Sequence, residues 1–403
     1  MKHKIPLALL LLCSFQYFNQ GIMTLPSQCV YYLTREQWGL SASMIGLVGW
    51  VVAVAWYLKI FIAYFIDNIP IKGYSTKYYL VFSYVGLIIA YTYIVIFGLN
   101  IVSLIVTGLL INTFMATADV STDKHMVVHE QKYDCAGKIQ SVQWTALGVA
   151  GLISAVGGAT IAKAFNNTYN YRVAYAILIF IPLVLIAYMI RYFKETKVNK
   201  KPRVNIANII TNLKNKKFIY GLVFIMLLNF CPGFGTALLI KMREGLGVDK
   251  MFLGYLGAMG TVLGVVGYII YYKWANKFDI KKMLYFTIMF TAATNLFYLY
   301  IPNKYYLLLY NVLFGAFSGV AFMTILSFFI HVIPKGYEAL AYALITSVNN
   351  FSAHGGNFFG GCIFDKWGYN TTVIVSSVCT LLCLLVIPHL KLGNSNRRIP
   401  NYA

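Results

Sequence analysis

The chain has 403 residues, of which 59% are hydrophobic and 11% are charged, and its formal net charge is +21. A soluble protein of this size needs far more polar surface, so the composition excludes a soluble fold. About twelve apolar blocks make up nearly the whole chain, and a helix needs roughly 20 apolar residues to cross a hydrocarbon core of about 30 Å. We therefore predict an all-α polytopic membrane protein.

Twelve transmembrane helices are predicted in chain order. Their ranges are 5–33, 42–66, 78–98, 100–123, 138–163, 172–192, 218–240, 250–272, 282–301, 304–332, 337–362 and 371–390. A basic cytoplasmic linker over 193–217 separates the first six helices from the last six. The pattern predicts two six-helix bundles, over 1–192 and over 218–403 with a short cytoplasmic tail, that arose by internal duplication.

The basic residues are distributed unevenly along the chain. The predicted cytoplasmic segments carry 24 of the 33 Lys and Arg residues, and the predicted outer segments carry 8. This bias predicts that both termini are cytoplasmic and that the protein lies in a plasma or inner membrane. The positive charge then faces anionic lipid headgroups, so we do not expect nucleic-acid binding.

The first helix begins like a secretory signal peptide, with a basic start and a short apolar region. No small-x-small cleavage site follows, and the segment continues through Gln16, Tyr17, Asn19 and Gln20. Polar residues of this kind are typical of a helix that lines a water-filled cavity. We interpret the segment as helix 1 and take Gln20 as a candidate substrate-binding residue.

The second helix contains Lys59, and it ends at Asp67 before a turn that contains Gly73 and Lys77. Lys59 lies about 12 Å along the helix from its cytoplasmic end, so its ammonium group could reach the lipid headgroups. Alternatively it faces a cavity, where it binds an anionic group of the substrate or pairs with an aspartate of helix 4. Asp67 is a candidate gating residue.

Helix 4 places three carboxylates, Asp119, Asp123 and Glu130, within about 40° of one face if it continues past Asp123. A carboxylate that faces lipid costs a few kcal/mol, so this stripe should face the protein interior. Two partly desolvated carboxylates one turn apart suit a proton-coupling site. The alternative is a charge network with Lys124, Lys132 and Lys138 that only closes the inner gate.

Helix 11 has a polar face that contains Glu338, Tyr342 and Asn349. This face could hydrogen-bond a polar substrate, or it could bond neighbouring helices. In helix 5, Trp144 follows Gln140 by one turn and is the best aromatic candidate for stacking with a substrate, with helix packing as the alternative.

The chain resembles two nested families of transporters. A charged turn follows the second helix of each half, which resembles the pattern of the major facilitator superfamily. Three stretches resemble the folate-biopterin transporter family within it. They are DVSTD at 119–123, AGKIQSVQW at 136–144, and PKGYEA at 334–339 with YALITSVNN at 342–350.

This resemblance implies the major facilitator fold and a secondary active transporter that moves folate, biopterin or a related pteridine by alternating access. Together with the residue patterns above, it leads us to expect substrate binding by Lys59, Gln20, Gln140, Trp144, Tyr342 and Asn349, with the helix-11 face recognising the amide and amino edges of a pterin. We expect proton coupling or gating by Asp67, Asp119, Asp123, Glu130 and Glu338. The alternative is transport of another small organic anion, an amino acid or a nucleoside-like solute.

Other classes of protein lack support in the sequence. An enzyme would need a nucleophile or a metal cluster, and a channel would need a pore loop or a sign of ring assembly. An ATP-driven pump would need a GxxxxGK[ST] loop. None of these patterns occurs, and the seven cysteines show no metal or disulfide spacing. We expect a monomeric transporter without a catalytic residue, metal or cofactor, whose partners are a small molecule and the lipid bilayer.

Overall fold

The structure is a computed structural model that describes most of the chain. The described residues are 6–133, 138–165, 169–195, 197, 216–274, 279–333 and 338–390, without the side chains of 127–133, 138, 330 and 338–340. Most of the predicted linker over 193–217 lies outside them. Throughout the described residues the regular structure is helical, apart from one isolated β-bridge between Ile71 and Tyr74.

The chain divides into two compact units, which are described separately. The first contains residues 1–38 and 51–204, and the second contains 39–50 and 205–403. The predicted bundle boundaries at 192 and 218 stay a prediction.

Among the described residues, the first unit contains eight helices and the last two residues of a ninth. They are α1 (Leu7–Ile22), α2 (Ser27–Tyr32), α4 (Val54–Tyr57), α5 (Lys59–Asn68), α6 (Lys77–Phe97), α7 (Ile101–Tyr133), α8 (Lys138–Ala164) and α9 (Asn170–Tyr192), with the end of α3 (Ala42–Val52). A π-helical turn over Leu33–Gln37 follows α2. The core of the first unit contains an apolar stripe of α6 at helical spacing. The stripe consists of Leu80, Tyr84, Leu87, Tyr91 and Ile94, each at most 1% exposed.

The predicted helix over 42–66 is interrupted twice. The chain leaves helical geometry at Ala53 and again at Leu58, which gives three consecutive helices, α3, α4 and α5. Neither position is a proline or a glycine, so the usual sequence signals for a break are absent. As a result, Lys59 is the first residue of α5.

The turn after α5 is a two-residue hairpin. Ile71 and Tyr74 exchange backbone hydrogen bonds of 3.0 and 2.9 Å, and the two residues between them have positive φ, 51° at Lys72 and 83° at Gly73. Positive φ at both central positions is the type I′ geometry, which glycine adopts without strain. The glycine-bearing turn predicted from the sequence is confirmed.

Among the described residues, the second unit contains most of α3 and six further helices. These are α10 (Lys216–Asn229), α11 (Gly235–Ile240), α12 (Lys250–Trp274), α13 (Ile280–Leu296), α14 (Lys304–Val332) and α15 (Glu338–Leu382), the last broken at Gly368, where φ is 79°. The predicted helix over 218–240 is interrupted after Asn229, because Pro232 has no N–H to continue the helix.

Glycines bring α12 and α14 into close contact. A Cβ atom on Gly319 would lie 3.0 Å from the Cα atom of Gly267, and one on Gly315 would lie 2.9 Å from the Cβ atom of Leu263. The two backbones therefore meet through small residues, as is common between membrane helices.

Eight helical stretches among the described residues are long and apolar enough to cross a membrane. They are Leu7–Gln37, Lys77–Phe97, Ile101–Met126, Ile139–Ala164, Asn170–Tyr192, Lys250–Trp274, Lys304–Phe329 and Ala341–His389. The protein is therefore an integral multi-pass membrane protein. The breaks at Ala53 and after Asn229 shorten two predicted spans, and the 49-residue stretch contains the break at Gly368. The number of twelve spans stays a prediction.

Candidate functional site

The centre of the first unit contains a salt bridge between Lys59 and Asp119. The Lys59 ammonium group donates to Asp119 Oδ2, and the two side chains are 16% and 2% exposed. The ammonium group also lies 4.8 Å from the centre of the Trp56 ring. Of the alternatives drawn from the sequence, the structure therefore shows the salt bridge with a helix-4 aspartate rather than a lysine extended to the headgroups.

Helix α7 also holds the residues around this salt bridge. The Trp56 ring nitrogen donates to Asn112 Oδ1 at 2.7 Å, and Asn112 Nδ2 donates to the Gly108 carbonyl oxygen at 2.8 Å. Because Asn112 lies two turns before Asp119, one face of α7 fixes both the aromatic ring and the carboxylate. The short helix α4 is thereby held with the ring of Trp56 beside the Lys59 ammonium group.

Asp123 lies one turn after Asp119 and has different partners. Tyr17 on α1 donates to Asp123 Oδ1 at 2.7 Å, and Gln143 on α8 donates to the same oxygen at 3.5 Å. Both partners are neutral. Two neighbouring carboxylates of one helix thus lie in different surroundings, Asp119 beside a lysine ammonium group and Asp123 beside a phenol and an amide.

The predicted residues Gln20, Gln140 and Trp144 lie in the same unit. The Trp144 ring is 41% exposed, and its centre lies 6.4 Å from that of Tyr17, in an edge arrangement. Gln140 lies near the start of α8, partly exposed. Trp144 is therefore linked to Asp123 through Tyr17.

Three glutamine oxygens of this region are buried without a hydrogen-bond partner among the described residues. They belong to Gln16, Gln20 and Gln143. A buried carbonyl oxygen normally accepts a hydrogen bond from protein or water. The region between α1 and α8 therefore offers acceptors to water or to a ligand.

Asp67 is separate from this group and pairs with Lys124. The distance from Lys124 Nζ to Asp67 Oδ1 is 2.6 Å, and the Asp67 side chain is 44% exposed. Lys124 is thus paired with α5 rather than with Asp119 or Asp123, the carboxylates that the charge-network alternative assigned to it. The side chains of Lys132 and Lys138 lie outside the described part of the chain.

A second carboxylate, Glu195, holds the N-terminus of α6. Its oxygens accept from the backbone N–H groups of Ser75, Thr76 and Lys77 at 3.0, 3.2 and 2.8 Å, and from the hydroxyl groups of Ser75 and Thr76 at 2.8 and 3.0 Å. A carboxylate in this position satisfies unpaired helix donors and complements the helix dipole. Thr76 also bonds His125 Nε2.

The charge of Glu195 is stabilised by these donors. Burial of the carboxylate raises its pKa, but the hydrogen bonds from Ser75 and the Lys77 N–H, together with the charge of His125, outweigh burial. The pKa of Glu195 is consequently lowered from its ordinary value. The sequence placed this residue in a linker and gave no sign of its contact with α6.

Within the second unit, Asn349 and Tyr342 lie on α15. Asn229, the last residue of α10, donates to Asn349 Oδ1 at 3.2 Å. Tyr342 is partly buried and packs against the apolar core of Phe224, Phe328 and Ile345. Glu130 and Glu338 are helical, in α7 and α15, but their side chains lie outside the described residues.

Sequence reasoning missed the residues that complete these groups. Trp56, Tyr17, Gln143 and Asn229 are uncharged residues on apolar helices. Their types are common in membrane helices, so only the three-dimensional contacts show that they bond the predicted residues.

The fold is that of the major facilitator transporters. The crystal structure of a D-xylose-proton symporter matches this chain with a TM-score of 0.66 at 12% identity, covering 97% of this chain and 98% of that one. At this identity the match concerns the fold alone. The all-helical fold and the apolar spans thus define a multi-pass membrane protein with the fold of this class.

The family is more specific than the fold. The family model described as the BT1 family matches residues 20–394, and the chain belongs to this family of transporters. A folate-biopterin transporter from Synechocystis sp. is 24% identical over 94% of this chain and 81% of its own length. Folate transporter 1 from Plasmodium falciparum is also 24% identical, over 83% of this chain and 68% of its own. The protein is therefore a transporter of a small molecule rather than an enzyme.

Proposed function

We propose that the chain is a secondary active transporter that moves folate, biopterin or a related pteridine across its membrane by alternating access, coupled to protons. The names of its relatives support the substrate class. The observation that carries the coupling is the contrast between Asp119, which pairs with Lys59, and Asp123, whose hydrogen-bond partners among the described residues are the neutral Tyr17 and Gln143.

The arrangement supports separate roles for the two carboxylates. Lys59 and Asp119 neutralise each other, so Asp123 leaves one net negative charge among these three residues inside a membrane span. An unpaired buried charge is costly, and one bound proton removes it. We assign the transported proton to Asp123 and a structural or gating role to Asp119.

The substrate-binding role of the other residues follows from their types. Lys59 is the cation that an anionic group of the substrate can bind when Asp119 releases it. Gln20, Gln140 and Trp144 offer amides and an aromatic face beside the carboxylates. In the second unit, Tyr342 and Asn349 belong to this proposal, and Asp67, Glu130 and Glu338 are proposed as gating residues.

The remaining features of the proposal concern assembly and orientation. We propose two six-helix bundles related by duplication, over 1–192 and 218–403, joined by the basic linker over 193–217. The Lys and Arg bias supports cytoplasmic termini. We propose that the monomer is the transporting unit.

Uptake into cells that express the chain tests this function. Labelled folate, biopterin, a nucleoside and an amino acid are supplied separately, with and without an inward proton gradient. We expect the two pteridines to accumulate only with the gradient, above cells that carry an empty vector. Accumulation of the nucleoside or amino acid instead would contradict the substrate class, and uptake that ignores the gradient would contradict the coupling.

A further inference from the structure

The side-chain amides of Asn229 and Asn349 have a fixed relative orientation. Asn229 Nδ2 donates to the Ile225 carbonyl oxygen at 2.9 Å and to Asn349 Oδ1 at 3.2 Å. The Ile225 oxygen can only accept, so it selects the nitrogen end of Asn229. That nitrogen has two hydrogens and both are used, so Asn349 must present its oxygen to Asn229.

The amide atoms that do not join the two asparagines to each other are Asn229 Oδ1 and Asn349 Nδ2. Among the described residues, nothing bonds Asn229 Oδ1 or Asn349 Nδ2, and both side chains are partly exposed. The pair therefore offers one acceptor and one donor next to each other. Asn229 lies on the face of α10 that contains Phe218 and Ile225, 1% and 0% exposed, so its amide points to the protein interior.

The pair lies where helix α10 is interrupted. Pro232 ends the helical hydrogen bonding, and the non-helical segment is held to α15 by a bond of 2.9 Å from the Gly233 N–H to the Gly356 carbonyl oxygen. Interrupted membrane helices with polar groups at the break are common at transporter binding sites. The break fixes the position of Asn229 against α15.

The second unit contains a cluster of three aromatic rings, those of Phe230, Phe351 and Trp50. Phe230 follows Asn229, and its ring centre lies 5.7 Å from that of Phe351 and 6.4 Å from that of Trp50. The Trp50 and Phe351 centres are 5.3 Å apart. Such faces suit a planar, apolar ring system whose edge carries the polar groups.

We propose that Asn229 and Asn349 bind the lactam edge of a planar heterocycle, meaning a ring N–H next to a ring C=O. The ring N–H donates to Asn229 Oδ1, and the ring C=O accepts from Asn349 Nδ2. A 4-oxo pteridine has this edge, so the subsite deepens the proposed function and rests on it for the identity of the ring.

A 4-amino pteridine presents the reverse pattern. Its ring nitrogen accepts and its amino group donates, so each would meet an atom of its own kind on the asparagine pair. The Ile225 carbonyl prevents the amides from turning to suit it. A site built to bond one pattern discriminates strongly against another that leaves buried polar groups unpaired.

Equilibrium dialysis with the purified full chain in nanodiscs tests the subsite. We expect the parent to bind a 4-oxo pteridine at least about tenfold more tightly than its 4-amino counterpart. In Asn349→Asp, one carboxylate oxygen still accepts from Asn229 and the other replaces the donor. Each ligand then has one matched and one mismatched group, so the preference should fall to about one. Asn349→Ser loses the outer amide donor but keeps Asn229 Oδ1, which still pairs only with the ring N–H, so the preference should fall without disappearing.

Asn350→Asp is the matched control, because it adds the same charge one residue away on another face of α15. It should keep the parental preference. Equal binding of both ligands by the parent, or the same change of preference in Asn349→Asp and Asn350→Asp, would overturn the subsite. Size-exclusion profiles establish that each variant is folded before it is compared.

A second pair of ligands separates the subsite from the proposed function. Inosine and adenosine differ by the same reversal of donor and acceptor on a purine. A parent that binds neither pteridine but prefers inosine to adenosine would refute pteridine transport and support the lactam subsite. A parent that binds pteridines without discriminating within either pair would support the function and overturn the subsite. Failure to bind any of the four ligands would overturn both.

Discussion

Lys59 and Asp119 are 60 residues apart in the chain and form a salt bridge whose carboxylate is 2% exposed. Each partner alone would be a costly charge inside a membrane span. Removal of one partner should therefore lower the stability of the protein more than removal of both partners does.

Replacement of Lys59 by Met should destabilise the protein strongly. It leaves the Asp119 charge buried without its partner, a change that typically costs about 3–5 kcal/mol. The double variant Lys59→Met with Asp119→Leu should recover most of the melting temperature, because it leaves no buried charge, but it should not recover transport. Thermal unfolding in detergent measures the first effect, and uptake measures the second.

Lys124→Met is the matched control for this experiment. Its partner Asp67 is 44% exposed, and exposed pairs contribute about 0–1 kcal/mol. A melting temperature that falls as far in Lys124→Met as in Lys59→Met would show that burial of the Lys59 pair has no special effect.

Glu195→Gln should destabilise α6 and change the acid sensitivity of the protein. The charged carboxylate accepts from three N–H groups and two hydroxyl groups, and the amide replaces one acceptor by a donor, for a loss of roughly 1–3 kcal/mol. Because the folded pKa of Glu195 is lowered, its stabilisation is present above the unfolded pKa and is lost as pH falls through the folded pKa.

Melting temperatures measured from pH 7 downward test whether stability falls with pH in the expected direction. The parent should lose stability below about pH 4.3, the ordinary glutamate pKa, by more than the variant does. Lys194→Gln changes an exposed neighbour and should follow the parent curve. Parallel curves for the parent and Glu195→Gln would mean that the carboxylate does not stabilise α6 through its charge.

Gly319→Ala should prevent close packing of α12 and α14. A methyl group there would lie 3.0 Å from the Gly267 Cα atom and against the Gly264 backbone, and backbone atoms cannot turn aside as a side chain can. We expect a loss of folded protein by size-exclusion chromatography. Gly148→Ala is the control, since a Cβ there meets nothing within 4 Å and alanine is the better helix former. Equal yields of the two variants would contradict the packing.

The sequence predicted the features that depend on composition and spacing. The apolar blocks predicted the membrane spans, and Gly73 predicted the turn after α5. The spacing of the carboxylates predicted that Asp119 and Asp123 share one face of α7. Each follows from local chemistry, because a membrane span, a positive φ and a helical face require particular residue types.

The features that the sequence could not predict depend on contacts between distant segments. Glu195 caps a helix that begins 118 residues before it, and Tyr17 bonds a carboxylate 106 residues away. The breaks at Ala53 and Leu58 have no proline or glycine to mark them. The sequence could not predict which group Lys59 pairs with for the same reason. Helical spacing predicts which residues share a face, but it does not predict which residue of another helix lies opposite that face.

The central claim is that Asp123 carries the proton that drives substrate accumulation. Proteoliposomes that contain the parent or Asp123→Asn receive labelled pteridine under an inward proton gradient, and exchange without a gradient is measured alongside. The amide keeps the shape of the side chain but cannot bind and release a proton. We predict that Asp123→Asn loses accumulation and keeps at least part of the exchange, whereas accumulation equal to the parent with the same pH dependence would contradict the account.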